Sequence, residues 1–162
     1  MSGPIPVEWL QQIENTGMAA TIRQSNWLYP GLEIVHIVGI VLLVGGAFVF
    51  DWRLLGFSPK LPVDDLAAHV LPWSRRGLAL VVPSGLLLFS TNAESLGNDP
   101  MFWLKMILIV VAGVNVAVFH RITFRSPAGW QGDKTPPGAK AAAICSILVW
   151  LAIIACGRLL AY

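Results

Sequence analysis

Four long runs of apolar residues alternate with polar, turn-rich segments along this chain. They extend from about Gly31 to Phe50, Trp73 to Ser90, Met101 to His120 and Ala139 to Leu160. Each has roughly the 20 residues that a helix needs to cross a bilayer core. Backbone polar groups in lipid must be satisfied within the segment, which selects helix. The period-two alternation of a membrane β-barrel is absent. The pattern predicts an all-α fold, an integral membrane four-helix bundle, as one membrane domain over residues 1–162 with spans at about 31–50, 73–90, 101–120 and 139–160.

The intervening segments carry their own signals. Gly56 to Pro59 and Leu61-Pro62 break the chain after the first run. Asn92 to Pro100 reads as a polar turn, and Ser126 to Gly138 as a turn-rich loop. Residues 1–30 form an interfacial segment: Trp9, Leu10, Ile13, Met18 and Ile22 among polar neighbours predict one or two short helices lying in the membrane surface. Asp64-Asp65 opens a helical lead-in over Val63 to Leu71, and Pro72 marks a first turn or a kink.

Composition agrees. The 162 residues are 56% hydrophobic and 12% charged, with mean hydropathy +0.67; a soluble domain carries about 25% charged residues. The net charge of +2, spread along the chain, gives no nucleic-acid footprint. Cys145 and Cys156, roughly 16 Å apart on one helix, are beyond disulfide reach and read as small core residues. The first residues lack a basic region followed by an apolar one, which argues against a cleaved signal peptide. Eight of the eleven basic residues (Arg53, Lys60, Arg75, Arg76, Arg121, Arg125, Lys134 and Lys140) fall in the first and third loops. Those loops are expected to face the cytoplasm, with both termini outside. Trp27, Tyr29, Trp52, Trp73, Trp103 and Tyr162 suit interfacial anchoring.

Ionisable residues inside apolar spans are costly and by default mark function. Here they are Glu33, His36, Lys105, His120 and Arg158, with His69, Arg75 and Arg76 near a boundary. Counting along the helices puts Glu33, His36, Lys105 and Arg158 at one membrane level. His120 lies roughly 22 Å along the third span from Lys105, at the level of His69. Two candidate sites result. In the outer one, His36 is an axial haem ligand or a hydrogen-bonding group; Lys105 and Arg158 neutralise propionates, or Lys105 is a second ligand. In the inner one, His69 and His120 form a bis-His pair, with Arg53, Arg75, Arg76 or Arg121 for propionates. The competing readings are plainer: Arg75, Arg76, Arg121 and Arg125 snorkel to headgroups, His69 is a solvated surface residue, His120 is interfacial at a span end, His36 is a packing residue bonded to Glu33 or Lys105, and the glycines of the first two spans serve close helix packing.

The stretch His36-Ile37-Val38-Gly39, Gly45-Gly46 and Asp51-Trp52-Arg53-Leu54-Leu55 resembles the first span of two related families, the four-helix bacterial protoporphyrinogen oxidase and the copper-resistance D membrane proteins. Phe102 to Leu108 followed by Val118-Phe119-His120 resembles the third span of the former. Overall length and loop pattern, with Arg23 to Pro30 leading in and Asp51 to Gly56 leading out of the first span, are similar to a set of uncharacterised four-span bacterial proteins. The resemblance implies haem b, with His36 as key ligand and Lys105 and Arg53 as partners. The His69 segment and the long N-terminal piece have no match in the oxidase, so its activity is not carried over.

The expected function is a b-type haem-binding membrane protein in electron transfer or quinone-linked redox chemistry. It would hold one or two haems, with His36, His69 and His120 as iron ligands, in a bacterial inner membrane. Expected partners are the bilayer, a quinone and a redox protein; Gly39, Gly45 and Gly46 also suit a homo-oligomer. Two other classes fit the same residues: a metal-ion or small-solute permease with Glu33, His36 and Lys105 lining a polar cavity, and a cofactor-free accessory subunit. Whether the protein is an enzyme stays open.

Overall fold

A computed structural model describes residues 4–123 and 135–160 of the chain. Arg125, Lys134, Tyr162 and most of the loop from Ser126 to Gly138 lie outside the described residues. Within them the secondary structure is entirely helical: α1 (Val7–Glu14), α2 (Gly17–Gln24), α3 (Leu28–Leu54), α4 (Val63–Thr91), α5 (Ala93–Gly97), α6 (Pro100–Val118), which runs into a π-helical turn (Phe119–Thr123), and α7 (Pro137–Leu159).

Local chemistry sets the helix starts. Ser25 Oγ accepts from the backbone N–H of Leu28 at 3.2 Å and of Trp27 at 3.4 Å, satisfying donors at the start of α3. Asp99 Oδ1 accepts from Met101 N at 2.7 Å, with Pro100 in the first turn of α6. The expected lead-in and second span are one 29-residue helix, continuous through Pro72 and Pro83. The expected polar turn at 92–100 contains the short helix α5.

Among the described residues three helices are long and apolar enough to cross a membrane: Leu28–Leu54, Pro100–Arg121 and Pro137–Leu159. Their outward faces carry exposed Ile34, Val41, Ile107, Val110 and Leu148, a surface suited to lipid contact. α4 has the length but not the hydropathy, because Arg75-Arg76 and Pro83-Ser84-Gly85 interrupt its apolar run.

The long helices run up and down. α3 packs along α4, α6 along α7, and α3 also meets α7, whereas α4 and α6 scarcely touch along their lengths. Small residues make the α3–α4 seam close. A Cβ on Gly77 would lie 2.5 Å from Leu43 N and 2.6 Å from Gly39 O, so backbone meets backbone there. At one end, hereafter the loop end, Phe50, Leu54, Val63, Ala67, Phe119, Ala139 and Ala143 form the core. Phe50 and Phe119 meet edge to face at 5.9 Å.

The opposite, cap end is covered by the three short helices. Leu10 is fully buried against Gly97. Glu14 Oε2 accepts from Glu94 N at 3.0 Å, capping α5 from another helix. Arg23 donates to Thr91 O at 3.1 Å and pairs with Glu14 at 3.5 Å. Trp103 Nε1 donates to Gly97 O at 2.9 Å. The segment expected to lie flat on the membrane is thus docked on the α4–α6 connection.

Candidate functional site

His36 and Lys105 meet at one level, toward the cap end. His36 points from α3 to α4, where its Nδ1 lies 2.9 Å from Ser84 Oγ. Ser84 is 3% exposed, and its hydroxyl donates back to Leu80 O at 2.6 Å. Its one hydrogen is therefore committed, so Ser84 Oγ acts as acceptor and His36 Nδ1 as donor. A neutral imidazole donating in this way carries its lone pair on Nε2, and the backbone of Val81 also faces the ring. Ser84 follows Pro83, and such back-bonding to the preceding turn is a habit of helical serine. Gly85 completes the fit: a Cβ there would come within 3.0 Å of His36 Cε1.

Lys105 reaches this layer from α6. Its Nζ lies beside α7, where a Cβ on Gly157 would be 3.6 Å away, and it is close enough to act electrostatically on His36. One turn toward the cap, Phe89 of α4 and Phe102 of α6 stack at 5.1 Å and bridge the two helices that otherwise stand apart. Four helices thus contribute to a layer holding an imidazole, a hydroxyl and an amine under an aromatic cover.

The other predicted residues lie elsewhere. Glu33 is exposed, with Tyr29 beside it one turn earlier, and the partner of His36 Nδ1 is Ser84 instead. Arg158 is exposed in the last turn of α7, where a cation complements the helix dipole. Arg53, 2% exposed, donates Nε to Leu61 O at 2.6 Å and Nη2 to Pro59 O at 3.5 Å. It staples the α3–α4 loop, whose turn needs Gly56 at φ +105°. His69 is exposed and bonds Asp65 O of its own helix at 2.8 Å. His120, in the π-helical turn, has Nδ1 3.2 Å from Val116 O and lines a cavity that His69 does not line. Depth places His69 and His120 at the same end; the cavity holds only the second.

That cavity, about 330 Å³, sits in the loop-end half of the bundle with walls from all four long helices. It is mostly apolar, and Asp51 stands on its wall 6% exposed. Sequence reasoning missed Asp51 because it closes an apolar run beside Trp52 and Arg53, where a solvated carboxylate is ordinary. The available signal was that an acid precedes the break at Gly56 by more than a helical turn. Among the described residues no group of three or more His, Cys, Asp or Glu side chains is arranged to hold a metal ion.

Fold and layer together define an all-helical protein with membrane-length apolar helices and a half-buried imidazole and amine beside a buried hydroxyl. The chain belongs to a family of unknown function (DUF6644), which matches residues 15–162. No curated protein and no solved structure matches it.

Proposed function

We propose that this protein binds haem b in the membrane through His36 and serves electron transfer. The observation that carries the reading is the His36–Ser84 pair. A histidine that ligates a metal almost always donates its other N–H to a protein acceptor, which fixes the ring and raises its basicity. Here Nδ1–H is donated at 2.9 Å to a hydroxyl whose own proton is engaged.

The residues present fit the group. His36 offers a nitrogen donor, seated against Gly85, and Lys105 a cation or a second nitrogen, seated against Gly157. When bound, haem would supply reversible one-electron chemistry. The chain's own part is to hold His36 in one tautomer, place the Lys105 charge at the same level, and shield the layer with Phe89 and Phe102. The resemblance of the first and third spans to the protoporphyrinogen oxidase and copper-resistance D families supports the same cofactor. In this reading α4 is the fourth span, the membrane is a bacterial inner membrane, and the basic loop end faces the cytoplasm.

The test is an absorption spectrum of the detergent-purified protein, oxidised and then dithionite-reduced, with a pyridine haemochrome count per chain. A b-type spectrum lost in His36→Ala is expected. Colourless protein from haem-replete cells would overturn the proposal.

A further inference from the structure

The second buried polar site lies in the loop-end cavity, and its chemistry differs from that of the His36 layer. Asp51 Oδ2 is buried and has no hydrogen-bond partner; Ser146 of α7 approaches the carboxyl group. Ser74 Oγ, on the α4 wall, is likewise buried without a partner. The Arg23–Glu14 salt bridge is at the opposite end. Buried polar groups are ordinarily satisfied, so two orphans on one cavity wall call for a ligand.

The surroundings specify its class. The volume of about 330 Å³ falls in the range of small-molecule sites. Leu43, Phe50, Leu78 and Ile109 make the walls apolar. α4 and α6 both contribute walls yet barely pack on each other, within a bundle whose outer faces are apolar. The ligand is therefore apolar in body and drawn from the bilayer. Its head must donate hydrogen bonds to Asp51. Among the described residues a metal ion finds no ligand set here; Arg75, Asn115 and His120 are further polar groups on the lining, and a head with acceptors alone would leave Oδ2 unsatisfied. We infer that this cavity binds the ring of a membrane-soluble hydroquinone, with Asp51 accepting a hydrogen bond from its hydroxyl. The choice of ligand rests on the redox reading above; the existence of the site does not.

Ubiquinol-1 and ubiquinone-1 are the probes, titrated under argon into the detergent-solubilised full chain by equilibrium dialysis, with haem counted on the same samples. The wild-type protein should hold the reduced form at least tenfold more tightly. Asp51→Asn keeps the side-chain shape but replaces an acceptor by a donor, so that preference should vanish or invert. Gly113→Leu fills the cavity from a position where a Cβ meets nothing within 4 Å, and it should abolish binding of both forms. Equal or absent binding of the two forms by wild type, an unchanged preference in Asp51→Asn, or full binding by Gly113→Leu would each overturn the inference. Quinol preference without haem would sink the haem proposal and leave the site standing; haem without quinol preference would do the reverse.

Discussion

The approach of α4 to the α3 backbone at Gly77 invites the most direct perturbation. Gly77→Ala puts a methyl group 2.5 Å from Leu43 N and 2.6 Å from Gly39 O. Carbon contacts settle near 3.5 Å, so α3 and α4 must separate by about 1 Å locally. Neither neighbour is a flexible side-chain end; both are helix backbone. Overpacking of this kind costs about 1–3 kcal/mol. Removing a helical glycine returns about 1 kcal/mol, leaving a net loss of up to about 2 kcal/mol. Gly45→Ala is the internal control: it lies on the same helix as Gly39, but its Cβ would meet nothing within 4 Å. That variant should gain about 0.5–1 kcal/mol. The helical-glycine contribution is common to both, so the two should differ by the overpacking cost, about 1–3 kcal/mol, or roughly 2–12 °C in thermal midpoint. Melting of both variants in one detergent, followed by tryptophan fluorescence, measures the difference. A Gly77→Ala protein as stable as Gly45→Ala would refute the tight seam. Because His36 and Ser84 lie on the same seam, Gly77→Ala should also lower haem content, whereas Gly45→Ala should not.

Other outcomes follow from single contacts. Ser84→Ala removes the acceptor of His36 Nδ1 and should weaken haem retention about 10–100-fold, read as the haem-to-protein ratio after gel filtration. Leu10→Ala empties a fully buried position over Gly97; a cost of about 2–5 kcal/mol should appear as faster proteolysis within α1 and α2, and unchanged proteolysis would refute the docked cap. Arg53→Met leaves the carbonyls of Leu61 and Pro59 without their donor, and hydrogen bonds to charged groups are worth about 1.5–3 kcal/mol. Its melting point should fall while the haem count stays at the wild-type value, which separates a loop staple from a propionate partner.

The sequence by itself determined where the helices lie. Run length, proline and glycine punctuation and the Asp99 cap are local signals, and the long helices begin and end within a few residues of the expected limits, apart from the merging of the lead-in with the second apolar run into α4. It also determined level, because a helix rises a fixed distance per residue; counting alone put His36 and Lys105 in one layer. What it could not determine is azimuth. α3, α6 and α7 are apolar nearly all round, so no polar stripe marks which face turns inward. The pairing of α3 with α4 through Gly39 and Gly77, the choice of Ser84 as the partner of His36, and the separation of His69 from the His120 cavity all depend on that rotation. Asp51 shows the limit most clearly: it is an ordinary acid at the end of an apolar run until α7 brings Ser146 against it and the other helices close a cavity around it. Helix positions follow from the chain's own backbone needs in an apolar medium, whereas the sites arise from contacts between residues far apart in sequence, which only the packed bundle supplies.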